Sequence, residues 1–143
     1  MSQALAELKK LAMGKSFCVS SFYETPSVGI EGPAYLNAVC KFDSKLSEEA
    51  LHAILMRLEQ DAGRTRTFAN APRLLDLDFL FFGQEIISTS DLKIPHPRLH
   101  MRAFVLVPLN EIAPDWVHPV LNQTVKQMLA QLPGADLVGI RKI

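Results

Sequence analysis

Asp76 and Asp78 stand two residues apart in the run Ala71-Pro72-Arg73-Leu74-Leu75-Asp76-Leu77-Asp78-Phe79-Leu80-Phe81-Phe82-Gly83, most of whose other members are apolar. In an extended chain alternate residues share a face, so the two carboxylates point one way and Leu75, Leu77, Phe79 and Phe81 the other. Like charges roughly 7 Å apart on a half-buried surface repel each other and lose hydration. A divalent cation removes both penalties. Hard ions such as Mg²⁺ take oxygen ligands, commonly one or two carboxylates together with substrate phosphates. Arg73 and, upstream, Arg64 and Arg66 supply planar donors that suit phosphate oxygens. The chemistry expected of this stretch is the handling of a metal-bound polyphosphate, and the competing reading is a surface strand of alternating charge.

Other elements must hold these groups in place. Between Gln3 and Met13, the apolar residues Leu5, Leu8, Leu11 and Ala12 recur at helical spacing. Two strands are expected at Ser16 to Tyr23 and Ala34 to Phe42, and the Thr25 to Pro33 connection between them exceeds a tight turn, which marks it as a binding loop. Ser47 with Glu48 and Glu49 starts a helix whose inner stripe is Leu51, Ile54, Leu55, Leu58 and Ala62, stopping near Gly63. The acidic run reads as a strand and Phe104 to Leu109 as another strand or a buried turn. Leu121, Val125, Met128, Leu129 and Leu132 make a final helix, and Leu137 to Ile143 a terminal strand.

The 143 residues, without repeats or low-complexity linkers, suit a single domain over 1–143. Lys plus Arg equal Asp plus Glu at 15 each, so no bulk basic field draws the chain to nucleic acid or an anionic membrane. Cys18 and Cys40 lack metal or redox spacing and read as reduced core thiols. No apolar stretch approaches the roughly 18 residues of a membrane helix, and the start lacks a signal-peptide pattern, so the cytoplasm is expected. Interleaved strands and helices without a βαβ rhythm point to an α+β fold: a mostly antiparallel sheet with helices packed on it, its leading candidate a ferredoxin-like sandwich.

Ala71-Pro72-Arg73, with Asp76-Leu77-Asp78 three residues beyond Arg73, resembles the signature of the 6-hydroxymethyl-7,8-dihydropterin pyrophosphokinase family. Further similar blocks occur in order: Val19 to Pro26, Tyr35-Leu36-Asn37-Ala38-Val39, Gly63-Arg64-Thr65-Arg66, Ile94-Pro95-His96-Pro97-Arg98, and Arg102 through Pro114. The resemblance implies transfer of diphosphate from ATP to the hydroxymethyl group of the pterin, with release of AMP, in folate biosynthesis. It implies two Mg²⁺ ions on Asp76 and Asp78, and Arg64, Arg73 and His96 beside the transferred phosphates. Glu59, Arg66 and Arg102 would complete the ATP site. Tyr35 and Phe104 would stack on the pterin and Asn37 read its edge, with Thr25, Pro26 and Val28 adding contacts. The partners implied are these two small molecules, with no nucleic acid or membrane, and the enzyme would be a monomer or homodimer.

The sequence departs from the pattern in three respects. The family's first, interior strand, reading apolar-Gly-apolar-Gly-Ser-Asn-Leu, has no counterpart before the first helix here, so an incomplete amino terminus is expected. The alternative to an active enzyme is a catalytically impaired relative that binds nucleotide or pterin. Met56 stands where a glutamine is common near the nucleotide, and the loops after Gly29 and Arg66 are about a residue short, which bears on loop closure.

Overall fold

Helix α1 (Ser2–Lys9) buries Ala4 and Leu8, one turn apart, in a computed structural model that describes residues 2–25, 35–63 and 75–143. The two expected strands are four short ones: β1 (Cys18–Val19), β2 (Tyr23–Thr25), β3 (Tyr35–Asn37) and β4 (Cys40–Lys41). Their registers explain the break. Val19 faces Cys40 and Tyr23 faces Asn37, so three residues (20–22) on the first strand oppose two (38 and 39) on the second. The extra residue is a β-bulge. Ser20 adapts to it with both its groups: its N–H donates to the Val39 carbonyl at 2.8 Å, and its Oγ accepts the Val39 N–H at 2.9 Å. Strand β7 (Arg141–Lys142) joins the other edge of β2, and the Ile143 N–H donates to the Phe22 carbonyl at 2.9 Å, so only the last three residues of the expected terminal strand meet the sheet.

Cys18 and Cys40 are free thiols in neighbouring rungs of the β1–β4 ladder, half-buried and not in the core as expected. Burial, then the nearby Cys18, pushes the Cys40 thiol up to about 11, so it stays protonated at neutral pH.

Helix α2 (Glu48–Gly63) starts where expected, with the Ser47 hydroxyl accepting the Ala50 N–H at 3.2 Å. Of its apolar stripe only Leu51 is buried, while Ile54, Leu55, Leu58 and Ala62 are half-buried. The acidic run, expected as a strand, is not one: residues 75–82 carry no ladder to any described strand. A strand is defined by its neighbour, and here the backbone is satisfied otherwise. The Leu77 N–H goes to the Glu59 carboxylate at 2.7 Å, and the Leu80 carbonyl takes the His96 N–H at 2.9 Å. The expected alternation nonetheless holds over 75–78, with Leu75 and Leu77 half-buried and Asp76 and Asp78 exposed.

A short hairpin follows, β5 (Ile87–Ser88) with β6 (Lys93–Ile94), closed by paired bonds between Thr89 and Leu92. Residues 104–109, expected as a strand or buried turn, belong to helix α3 (Ala103–Ile112). A continuous apolar run does not reveal its period, and Pro108 stands inside the helix despite the cost of an internal proline. Burial decides it. Val105, Leu106 and Leu109 are at most 6% exposed. At about 1.5–3 kcal/mol each, their burial outweighs the roughly 3 kcal/mol cost of an internal proline.

Helix α4 (Val125–Ala130) opens with a reciprocal capping box between Thr124 and Gln127, and of the expected helix Leu121 lies in a preceding turn and Leu132 beyond the end of α4. The main core lies between α3 and α4, where Leu99, Val105, Leu106, Leu109, Val125 and Met128 meet and Leu80 and Phe81 of the acidic run pack against them. The architecture is thus α+β, and every ladder among the described residues is antiparallel.

Candidate functional site

The acidic run lies between α2 and the segment that follows β6, and the three together form a cleft of about 230 Å³. Glu59, Asp78 and His96 all line it, so two residues expected to hold ATP and one expected to hold its metal share one cavity. Each is placed by a backbone bond. Glu59 projects from the next-to-last turn of α2 and accepts the N–H of Leu77, the residue between the two aspartates. That bond fixes the peptide from which Asp76 and Asp78 project. The His96 N–H is held by the Leu80 carbonyl at 2.9 Å, which ties the histidine loop to the same run.

His96 Nδ1 accepts the Arg98 N–H at 3.1 Å, so a neutral ring carries its proton on Nε2. Burial lowers its pKa; the Asp78 charge opposes the shift, while Arg102 and Arg98 add to it. The ring is therefore uncharged near pH 7 in the protein alone.

Arg102 bridges the two halves of the site. Its Nη1 stands 3.6 Å from Asp78 Oδ2, and its guanidinium carbon lies 5.5 Å from the centre of the Phe104 ring. Phe104, in the first turn of α3, is 38% exposed, as a ring available for stacking must be, though the guanidinium covers one of its faces.

The residues expected around a flat heterocycle lie on the hairpin. Tyr23 faces Asn37 and Thr25 faces Tyr35, so all four share one face of the β2–β3 ladder. Asn37 Nδ2 donates to Thr25 Oγ1 at 2.9 Å, which fixes the amide and leaves its oxygen and second N–H for other partners. Tyr35 is 62% exposed. Helix α3 packs against both strands, bringing this face and Phe104 onto one contiguous piece of structure. Pro26, Val28, Arg64, Arg66 and Arg73 lie outside the described residues.

The donor set fits a hard cation shared with a ligand. Among the described residues no three His, Cys, Asp or Glu side chains converge, so the protein offers Asp76 and Asp78 without a closed cage. Two exposed carboxylates suit an ion that keeps water and phosphate oxygens, and not a four-ligand zinc site.

Two groups of residues were missed in the sequence reading. His52, Asp91 and Lys93 also line the cleft. Glu111 gathers Ser21 and Tyr23 across the fold. The signal for Asp91 and Lys93 was their place just ahead of His96, on the hairpin that delivers it; Glu111 sat in an apolar block where a lone carboxylate needs a partner.

The family model 7,8-dihydro-6-hydroxymethylpterin-pyrophosphokinase matches residues 1–114. The 2-amino-4-hydroxy-6-hydroxymethyldihydropteridine pyrophosphokinase of Synechocystis is 39% identical over 145 residues, spanning 95% of this chain and 74% of that protein. The protein of the same name from Haemophilus influenzae is 41% identical over 128 residues, 87% of this chain and 80% of its own length. The folic acid synthesis protein FOL1 of Dictyostelium discoideum is 40% identical over 115 residues, 80% of this chain, and the chain spans only 18% of that protein. Ordered sequence blocks, the matched model and the shared cleft lead to one assignment: the chain belongs to the 7,8-dihydro-6-hydroxymethylpterin-pyrophosphokinase family.

Proposed function

We propose that this protein transfers diphosphate from ATP to the hydroxymethyl group of 6-hydroxymethyl-7,8-dihydropterin, giving the pterin diphosphate and AMP, a step of folate biosynthesis. The observation that carries this reading is the convergence of Glu59, Asp78 and His96 on one cleft in a member of this family. The pterin oxygen bonds to the β-phosphorus of ATP, the bond from that phosphorus to the α-bridging oxygen breaks, and the hydroxyl proton passes to solvent. Such a reaction needs reactants held in line and charge offset more than it needs a covalent catalyst.

Asp76 and Asp78 would hold the two Mg²⁺ ions, which would offset phosphate charge and lower the pKa of the attacking hydroxyl. His96 donates from Nε2 to a phosphate oxygen. Glu59 keeps the acidic run in register while seating the nucleotide. Arg102 leaves Asp78 for the phosphates, and Arg64 and Arg66, upstream of the acidic run, together with Arg73 near its start, cover the remaining charge. Tyr35 and Phe104 sandwich the pterin, Asn37 reads its amide-like edge, and Thr25, Pro26 and Val28 complete that pocket.

The protein acts as one domain over 1–143, monomer or homodimer, in the cytoplasm; no helix among the described residues is long and apolar enough to cross a membrane. Nothing in the described site favours the impaired alternative. The test is AMP formation from ATP and the pterin with Mg²⁺, and its loss when the pterin is omitted or the metal chelated. Formation of ADP in place of AMP, or no turnover at all, overturns the assignment.

A further inference from the structure

Glu111 lies in the last turn of α3, two helical turns beyond Phe104, and its exposed carboxylate accepts three hydrogen bonds from the bulged strand. Oε2 takes the Ser21 N–H at 2.8 Å and the Ser21 hydroxyl at 3.0 Å, and Oε1 takes the Tyr23 hydroxyl at 2.6 Å. The bulge makes the first bond available: the extra residue between β1 and β2 frees Ser21 from the ladder and turns its N–H toward the helix. The Tyr23 ring is buried on the face that carries Thr25 and Asn37.

We propose that Glu111 is a positioning residue for the pterin half of the site. By holding Ser21 and Tyr23, it sets the height and angle at which the Thr25–Asn37 face of the hairpin meets the helix that carries Phe104. Stacking and edge recognition both fail when rings and amides shift by a fraction of their contact distance, so a clamp between the two supports governs pterin binding more than ATP binding. The inference rests on the proposed reaction for its substrate and goes beyond it in naming a residue that touches neither reactant.

The fold supplies its own control. Lys41 Nζ donates to the Ile112 carbonyl at 2.7 Å, tying the same end of α3 to β4, on the far side of the bulge from Thr25. A merely structural tie there weakens the fold without moving the pterin face. Glu111→Ala, Glu111→Gln, Tyr23→Phe and Lys41→Met are compared by steady-state kinetics and thermal denaturation. Glu111→Ala is expected to raise KM for the pterin at least tenfold and to leave KM for ATP within twofold. Tyr23→Phe, which drops one bond and keeps the ring, raises pterin KM about threefold, and Glu111→Gln, which keeps an acceptor oxygen, falls between wild type and Glu111→Ala. Lys41→Met lowers Tm with pterin KM unchanged.

Equal rises in both KM values, or a pterin KM in Tyr23→Phe and Glu111→Gln indistinguishable from wild type, overturn the proposal even if Glu111→Ala fails to fold. Calorimetric titration with the pterin reads the same shift without turnover. Wild-type protein that binds pterin but makes no AMP therefore fails the reaction alone, and the clamp is still decided by binding. Wild-type protein that does neither overturns both.

Discussion

Replacing Asp78 with alanine separates a site residue from a structural one, because the fold and the proposed reaction should depend on that carboxylate to very different degrees. Its ion pair with Arg102 is 3.6 Å long, with the two side chains 44% and 27% exposed respectively. Two unit charges at that separation attract by about 1.2 kcal/mol at the dielectric of water. Ordering two half-wet side chains reduces the net value to about 0.2–1 kcal/mol. Against this stands the repulsion between Asp76 and Asp78, about 0.6 kcal/mol at the roughly 7 Å of alternate strand positions. The two effects nearly cancel, so Asp78→Ala is expected to change stability by no more than about 0.5 kcal/mol, a Tm shift of about 1–3 °C.

Turnover is another matter. If Asp78 holds metal against the transferring phosphate as proposed, its loss removes several kcal/mol of transition-state stabilisation, and about 4 kcal/mol is about a thousandfold in kcat/KM. Asp78→Asn keeps the shape and loses the charge, so it should behave like alanine in rate and like wild type in Tm. The assays are AMP formation and thermal denaturation on the same preparations. A variant that keeps more than about a tenth of the wild-type rate, or one that loses more than about 2 kcal/mol of stability, refutes the reasoning.

Glu59→Ala removes a charge-assisted bond to the Leu77 N–H, and with the pair half-buried the loss should be about 1–2 kcal/mol by denaturant titration, with Glu59→Gln retaining most of it. The Glu111 cluster makes stability depend on pH at both extremes. The Tyr23 hydroxyl, then the Ser21 N–H, hold the Glu111 carboxyl below its ordinary 4.5, so stability is present above that value and is lost as pH falls through the lowered pKa; the acid limb should flatten in Glu111→Gln. The hydrogen bond to Glu111, then burial, push Tyr23 up from 10.0 to about 12, so its contribution is present below pH 10 and disappears as pH rises through 12, a limb absent in Tyr23→Phe. His118 is buried, and its Nδ1 accepts the N–H groups of Val120 and Leu121 at 3.2 and 3.1 Å. Burial, then the nearby His100, lower its pKa below 6.5, so stability present above 6.5 should be lost on acidification; His118→Asn, which keeps an acceptor there, should show a flatter Tm as pH falls below 6.5.

The elements legible in the sequence were those whose signal is local. Helix α2 with its Ser47 cap, and the alternation that exposes Asp76 and Asp78 while Leu75 and Leu77 turn inward, follow from neighbours within a few positions. The failures were non-local. A bulge cannot be seen in one strand, because it is a mismatch of length between two, and so β1 to β4 were read as two continuous strands. Helix α3 hid its period in an unbroken apolar run. The site divides in the same way. Residue type named Asp78 as a candidate and the family resemblance named His96 and Glu59, but the bond from Leu77 to Glu59 crosses 18 positions and the one from Ser21 to Glu111 crosses 90.

Those long bonds also differ in kind from the contacts of the reacting groups. Where position has to be kept, a carboxylate or carbonyl grips a backbone N–H at 2.7–2.9 Å: Glu59 on Leu77, Glu111 on Ser21, Leu80 on His96. A backbone donor has no rotamer to change, so each bond fixes a segment and not merely a side chain. Asp78 and Arg102, by contrast, meet at 3.6 Å, beyond hydrogen-bonding distance, near solvent and for less than about 1 kcal/mol. On the proposed reaction, charge that would be re-paired when metal and triphosphate arrive is held loosely, on a backbone held firmly. A tight, buried Asp78–Arg102 pair would have to be broken by the ligands, at a cost of 3–5 kcal/mol on partner loss, and would weaken nucleotide binding by that amount. The weak pair keeps the two charges from repelling their neighbours without competing with the triphosphate for either one.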